Sequence, residues 1–305
     1  MSVLGDHLEN YLLLRHASGF KMNRIDNDLR RFVAFLDSAA ASTVTVELAV
    51  VWARQPGTKP ITIDFRISAV RGFAHYMHAI DPATEVPPRG LLSVPRRRPV
   101  PYLYSADELV RLLRATRRLR PPLRAETLTT LLGLIASTGM RLGETLTLTR
   151  DDVDLADGVI TIQHAKFDRV RMVPLHPSVT SALRHYRASR QQLCTTPRTD
   201  RFFCSSTGAM LRREEVQRIF RQITTELGIR TDTVRPRIHD LRHTFAVNTL
   251  LDWQRDGVDI SRRLPLLSTY LGHVEPANTY WYLSAVPELM HTAAERLEQH
   301  TAGHR

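Results

Sequence analysis

Residues 153–174 read Val-Asp-Leu-Ala-Asp-Gly-Val-Ile-Thr-Ile-Gln-His-Ala-Lys-Phe-Asp-Arg-Val-Arg-Met-Val-Pro, and this stretch decides the fold class. Short β-branched runs at 153–158, 159–163 and 170–174 are separated by Asp157-Gly158 and by Lys166-Phe-Asp-Arg169, both turn-forming sequences. The spacing predicts three short antiparallel strands, the last two joined as a hairpin. To either side the apolar periodicity is helical, so the expectation is a mainly α protein carrying one small antiparallel β-sheet (α+β).

Upstream, Ser105 and Glu108 form a capping-box pattern for a helix over 105–117, and 125–137 is apolar almost all round, as befits the buried centre of a domain. Downstream, helices are predicted over 178–193, 213–227, 239–253, 262–271 and 287–300. The N-terminal block, 1–84, reads as a separate helical module with helices over 8–15, 23–38, 46–54 and 62–80, broken at Pro56-Gly57 and Pro60. Within it Ile25, Leu29, Phe32, Val33 and Leu36 fall on one helical face, and Arg24, Arg30 and Arg31 make a basic one. Between the blocks the composition turns proline-rich and basic, PPRGLLSVPRRRPVP over 87–101. Residues 85–103 are therefore assigned to a linker, and 104–305 to a second domain with a C-terminal tail. Two domains also suit a length of 305 residues.

The charge narrows the function classes. A formal net charge of +11 favours a polyanionic partner, with nucleic acid first. Arginine dominates: of 42 basic residues only Lys21, Lys59 and Lys166 are lysine. Cys194 and Cys204 fit neither a disulfide framework nor paired zinc-binding arms, which points to a reducing compartment. The first residues carry Asp6 and Glu9 and lack a secretory pattern, and no run approaches the roughly 20 apolar residues that span a bilayer. A soluble cytoplasmic protein is expected, with no membrane partner.

Four segments of the second block carry the chemistry: Ala136-Ser-Thr-Gly-Met-Arg141-Leu-Gly-Glu144; Lys166 in the hairpin turn with Val170-Arg-Met-Val-Pro-Leu-His176; His239-Asp-Leu-Arg242-His243; and Leu271-Gly-His273 with Tyr282 nine residues on. Singly each is weak. In this order and spacing the set resembles the tyrosine recombinase (phage integrase) family, in particular its Xer-like and transposon-type site-specific recombinases. The Thr279-Tyr-Trp-Tyr-Leu-Ser stretch has a transposon-borne flavour.

The resemblance implies a DNA strand transferase that works through a 3′-phosphotyrosyl intermediate without metal, nucleotide or other cofactor. Arg141 and Arg242 would clamp the phosphate, a task suited to guanidiniums that stay charged and bind bidentately. His239, at i and i+3 with Arg242, would contact the phosphate and accept the phenolic proton, and His273 would donate a hydrogen bond to the same phosphate. Lys166 would protonate the leaving 5′-oxygen, which an ammonium can do and a guanidinium effectively cannot. Read from its type alone, a lysine in a hairpin turn is more readily a solvated one. Of Tyr280 and Tyr282 the interval from His273 selects Tyr282 as nucleophile, leaving Tyr280 and Trp281 to pack the final helices. Glu144 and Asp240 would orient the catalytic groups, or else be exposed helix charges.

The same resemblance makes 1–84 a helical core-binding (SAM-like) DNA-binding domain and 285–305 a tail that docks on a neighbouring protomer. The expected partners are double-stranded DNA with paired inverted half-sites, further copies of the chain (a dimer on one site, a tetramer in synapsis) and accessory recombination proteins. Three other readings stay open: a catalytically silent DNA-binding regulator on the same scaffold, a type IB topoisomerase, and a metal site on His239, His243 and His273. The last lacks the glutamate that should follow the first histidine, since Asp240 stands there. Outside that reading, His164, His176 and His243 are set aside as bystanders.

Overall fold

The computed structural model describes residues 2–20, 23–92, 100–163, 170–273, 275 and 277–284. The chain divides into two compact units, Met1–Pro99 and Val100–Arg305.

The first unit is built on four helices: α1 (Val3–Ala17), α2 (Asn23–Ser38), α3 (Val46–Ala53) and α4 (Pro60–His78). The starts of α1, α3 and α4 have a local cause. Ser2 Oγ accepts from the Gly5 amide at 3.2 Å, Thr45 Oγ1 accepts from Leu48 at 3.2 Å, and Pro60 occupies the first turn of α4, where its missing N–H costs nothing. Their apolar faces converge on Leu8, Phe32, Leu36, Trp52, Val70 and Phe73, all buried. Val86 and Leu92 pack on this core too. The basic face of α2 is partly neutralised, since Arg30 Nη2 donates to Glu9 on α1 at 2.9 Å.

The second unit contains α5 (Ala106–Thr116), α6 (Pro122–Thr138), α7 (Leu142–Thr147), β1 (Val153–Asp154), β2 (Val159–Ile162), β3 (Arg171–Pro174), α8 (Pro177–Leu193), α9 (Arg213–Glu226), α10 (Ile238–Arg255), α11 (Ile260–Leu271) and α12 (Ala277–Ser284). The three strands form one antiparallel sheet in the order β1-β2-β3, with Val153 opposite Ile160 and Ile160 opposite Val173. The fold is thus mainly α with a small antiparallel sheet, as the sequence led one to expect. α6 packs against α5, α8 and α10, and its apolar girth explains why.

Differences from the expectation are local. β1 has two residues, because the Asp154 carboxylate accepts from the amides of Ala156 at 2.8 Å and Asp157 at 3.0 Å and turns the chain out of the strand. The short α7 was not foreseen; its first turn is closed by Glu144 accepting from the Arg141 amide at 2.9 Å. α11 begins at Ile260, where Asp259 Oδ1 accepts from Ser261 at 2.9 Å. The hairpin turn with Lys166, the histidine at 164 and the predicted helix over 287–300 lie outside the described residues. Among the described residues no helix is long and apolar enough to cross a membrane.

Candidate active site

The last carbonyls of α11 organise the site. A helix C-terminus leaves its final C=O groups without intrahelical donors and carries the negative end of the helix dipole. Here three successive carbonyls each take a different guanidinium: Tyr270 from Arg171 Nη1 at 2.5 Å, Leu271 from Arg242 Nη2 at 2.7 Å, and Gly272 from Arg141 Nη2 at 3.0 Å. The helix can end this way because Gly272 takes a left-handed conformation, φ +66°, and a Cβ there would stand 2.9 Å from Arg171 Nη1. Gly139 ends α6 likewise, with φ +63°, and its carbonyl accepts from Arg242 Nη1 at 2.6 Å.

Arg242 is 1% exposed, and burial, then the nearby Arg141, lowers its pKa to about 10, so it keeps its charge at neutral pH. Arg141 is more open, its side chain 38% exposed. Glu144 joins it to the sheet: its carboxylate takes Arg141 Nη1 at 2.7 Å and Arg171 Nη2 at 2.6 Å. Arg171 on β3 is buried, which lowers its pKa despite the Glu144 charge.

Three imidazoles stand around these cations. Arg242 Nη2 lies 2.9 Å from His273 Nε2, and His273 Nδ1 lies 2.7 Å from Thr279 Oγ1. A guanidinium only donates, so Nε2 accepts and the ring hydrogen sits on Nδ1, directed to Thr279. Burial, followed by the charges of Arg242, Arg141 and Arg171, lowers His273 to about 3. His239 opens onto the cleft but is crowded by protein; desolvation, His243 and the arginines at 242 and 237 lower it to about 4. His243, half-buried, is lowered to about 4 mainly by burial. All three rings are neutral at pH 7. Asp240, buried, turns away from them: it accepts from the Arg237 amide at 2.7 Å and from Arg237 Nη2 at 2.7 Å.

Arg141, Glu144, Arg213, Arg237, His239 and His273 line a cleft of about 860 Å³. Tyr282 is not among the described residues that line it. Its side chain is 1% exposed, packed in the core formed by α10, α11 and α12, with its hydroxyl 3.0 Å from His243 Nδ1. Its ring stacks behind that of His273, centroids 6.2 Å apart. Tyr280, expected to pack, is instead 53% exposed, because α12 rests on its Thr279 and Tyr282 face and turns Tyr280 outward; Trp281 does pack against the core.

The structure therefore gathers Arg141, Glu144, Arg242, His239, His273 and Tyr282 into one region, while Asp240 engages Arg237 beside it and Lys166 is outside the described residues. Sequence reasoning overlooked Arg171 and Arg237 and set His243 aside. The signal for His243 was present, since it stands four residues after His239 on one helical face; their rings meet edge to face at 4.6 Å. Among the described residues no group of three His, Cys, Asp or Glu is arranged to hold a metal ion.

Comparison with known proteins fits this geometry. The chain is 41% identical over 308 residues to a putative integrase/recombinase, y4rB, of Sinorhizobium fredii, covering 98% of each. It is 27% identical to tyrosine recombinase XerD of Listeria monocytogenes over 92% of this chain and 93% of that one. Among solved structures, a Tn1549 transposon integrase in complex with transposon right end DNA shares the fold, with a TM-score of 0.69 at 16% identity over 98% of this chain and 100% of that one. The model of the phage integrase family matches residues 103–288, and the chain belongs to that family.

Proposed function

We propose that the protein is a site-specific DNA recombinase that cleaves and rejoins strands through a phosphotyrosyl link at Tyr282. The observation that carries this reading is the trio of arginines fixed by consecutive carbonyls at the end of α11, beside a cleft walled by neutral imidazoles. A phosphodiester under attack gains negative charge on its non-bridging oxygens, and preorganised cations stabilise that charge most where water is excluded. In this reading Arg141 and Arg242 supply that stabilisation without metal or other cofactor, and Glu144 holds Arg141 in place.

In the reaction the Tyr282 oxygen forms a bond to phosphorus as the bond to the 5′-oxygen breaks. The phenolic proton passes to neutral His239, and the leaving oxygen takes a proton from Lys166. A free phenol has a pKa near 10, so attack near neutrality needs this base and clamp. The product is a 3′-phosphotyrosyl enzyme and a free 5′-hydroxyl; because the ester conserves the bond, rejoining to another strand needs no nucleotide. His273 contributes a hydrogen bond to the phosphate once Arg242 has turned from it and the ring hydrogen has passed from Nδ1 to Nε2, leaving Nδ1 to accept from the Thr279 hydroxyl. Asp240 acts through Arg237 at the edge of the cleft.

The substrate in this reading is double-stranded DNA with inverted half-sites, bound by a dimer and synapsed as a tetramer, with residues 1–84 closing on the duplex and 285–305 reaching a neighbouring protomer. The test is incubation with nicked suicide DNA from the flanks of its own gene, in chelator, followed by mass spectrometry of the covalent adduct. An adduct on Tyr282 that Tyr282→Phe abolishes supports the reading; an adduct on Tyr280 moves the nucleophile; tight binding with no adduct favours a non-cutting DNA-binding regulator.

A further inference from the structure

Tyr282 is buried and is not among the described residues that line the cleft. His273 lines the cleft, and Tyr282 stacks behind it, fully buried. A phosphate seated on Arg141 in the cleft cannot be reached by a buried phenol, so Tyr282 must leave this position before it can attack. Its position is held by a specific partner. His243 Nδ1 stands 3.0 Å from the phenolic oxygen, and the His243 ring is itself braced edge-on by His239 at 4.6 Å and by Trp281 at 5.5 Å.

We propose that His243 is a positioning residue that stores the nucleophile, its Nδ1 holding the phenolic hydrogen of Tyr282 behind the cleft until DNA is seated. This rests on the reading of Tyr282 as nucleophile. The chemistry of the pair suits storage. A phenol is a good donor, and a neutral imidazole with its hydrogen on Nε2 presents Nδ1 as an acceptor; burial keeps the His243 ring neutral through the neutral range. Release gives up this hydrogen bond and the packing of the Tyr282 ring in its core, a cost that the contacts of bound DNA must offset.

The experiment uses the full DNA-free chain and reads nitration of individual tyrosines by tetranitromethane, mapped by mass spectrometry. Exposed Tyr280, two residues away, is the internal reference. His243→Leu and His243→Ala both remove the acceptor, whereas His243→Asn presents a side-chain carbonyl near the position of Nδ1. The expected result is a Tyr282/Tyr280 nitration ratio about tenfold above wild type in the Leu and Ala variants, and close to wild type in the Asn variant. An unchanged ratio in all three overturns the proposal. So does an equal rise in all three, which would show that ring packing and not the acceptor holds Tyr282.

Single-turnover adduct formation on saturating nicked DNA supplies the second arm. Storage predicts severalfold faster formation in His243→Leu and a rate near wild type in His243→Asn. A tenfold fall in His243→Leu with unchanged nitration would place His243 in the attack itself and overturn storage. Absence of any wild-type adduct would count against Tyr282 as nucleophile, while the nitration ratios would still decide whether His243 holds it.

Discussion

Arg242 donates through Nη2 to Nε2 of His273 across 2.9 Å, so the two groups satisfy each other. The bond sets the imidazole tautomer, with Nδ1–H directed to Thr279. Nitrogen-detected NMR should find His273 neutral and protonated on Nδ1 from pH 5 upward, and Thr279→Val, which leaves the Arg242 donor in place, should keep that tautomer while removing the partner of Nδ1–H.

The same electrostatics gives a pH dependence of stability. His239, His243 and His273 have folded-state values of about 4, 4 and 3, below the ordinary value of about 6.5 expected in the unfolded chain. The folded state thus binds fewer protons, so stability is fully present above about pH 6.5 and is lost as pH falls toward 4. At pH 5 unfolding should take up protons on these groups, chiefly on His243 and His273, since His239 opens to solvent and its shift is screened. Denaturation midpoints measured from pH 7 to 4 should fall accordingly, and a flat profile would contradict the neutral imidazoles.

Arg141→Ala and Arg242→Ala should differ in kind. Removing either clamp should slow cleavage on the order of 100-fold or more while DNA binding is largely retained. Arg141 is partly open, and its loss should change stability little. Arg242 is buried against two carbonyls, and truncating it leaves both unsatisfied; a loss of about 3 kcal/mol or more is expected in urea unfolding.

Glu144→Gln should behave as a structural lesion of the site. The carboxylate faces Arg141 and Arg171 within 2.7 Å, and a neutral amide leaves the buried Arg171 charge without its counter-ion. Breaking a largely buried pair costs about 3 kcal/mol. Thermal unfolding should show this loss, and cleavage should fall with it at a DNA affinity near wild type.

Gly272→Ala tests how closely the clamp is packed. Its left-handed backbone strains any Cβ, and the added carbon would press on the Arg171 guanidinium from 2.9 Å. A destabilisation of about 1–3 kcal/mol is expected, together with slower adduct formation. Wild-type stability in this variant would show that the carbonyl arrangement tolerates movement.

Much of this was legible in the sequence. Helical periodicity and the 153–174 stretch carry the fold class, since period and turn chemistry are local properties. The positions of Arg141, His239, Arg242, His273 and Tyr282 follow from spaced motifs, and the structure brings them into one region. The parts that escaped depend on tertiary packing. Arg171 looks like an ordinary alternating strand residue until β3 meets the end of α11. His243 becomes a partner of Tyr282 only when α12 packs on α10, and the outward turn of Tyr280 depends on which face of α12 that packing selects.

Beside the Glu144 carboxylate and the His273 ring, each of the three arginines is held by an acceptor of the main chain, and this has a consequence for how the protein can diverge. A side-chain partner can be lost by a single codon change, but a carbonyl remains whatever residue carries it. Tyr270 and Leu271 could drift in identity without removing the acceptors for Arg171 and Arg242, so long as α11 still ends at Gly272. Heritable change at this anchor is thus funnelled onto Glu144, the two helix-ending glycines and the arginines themselves, and descendants of this chain can remodel the surrounding surface while inheriting the clamp unaltered.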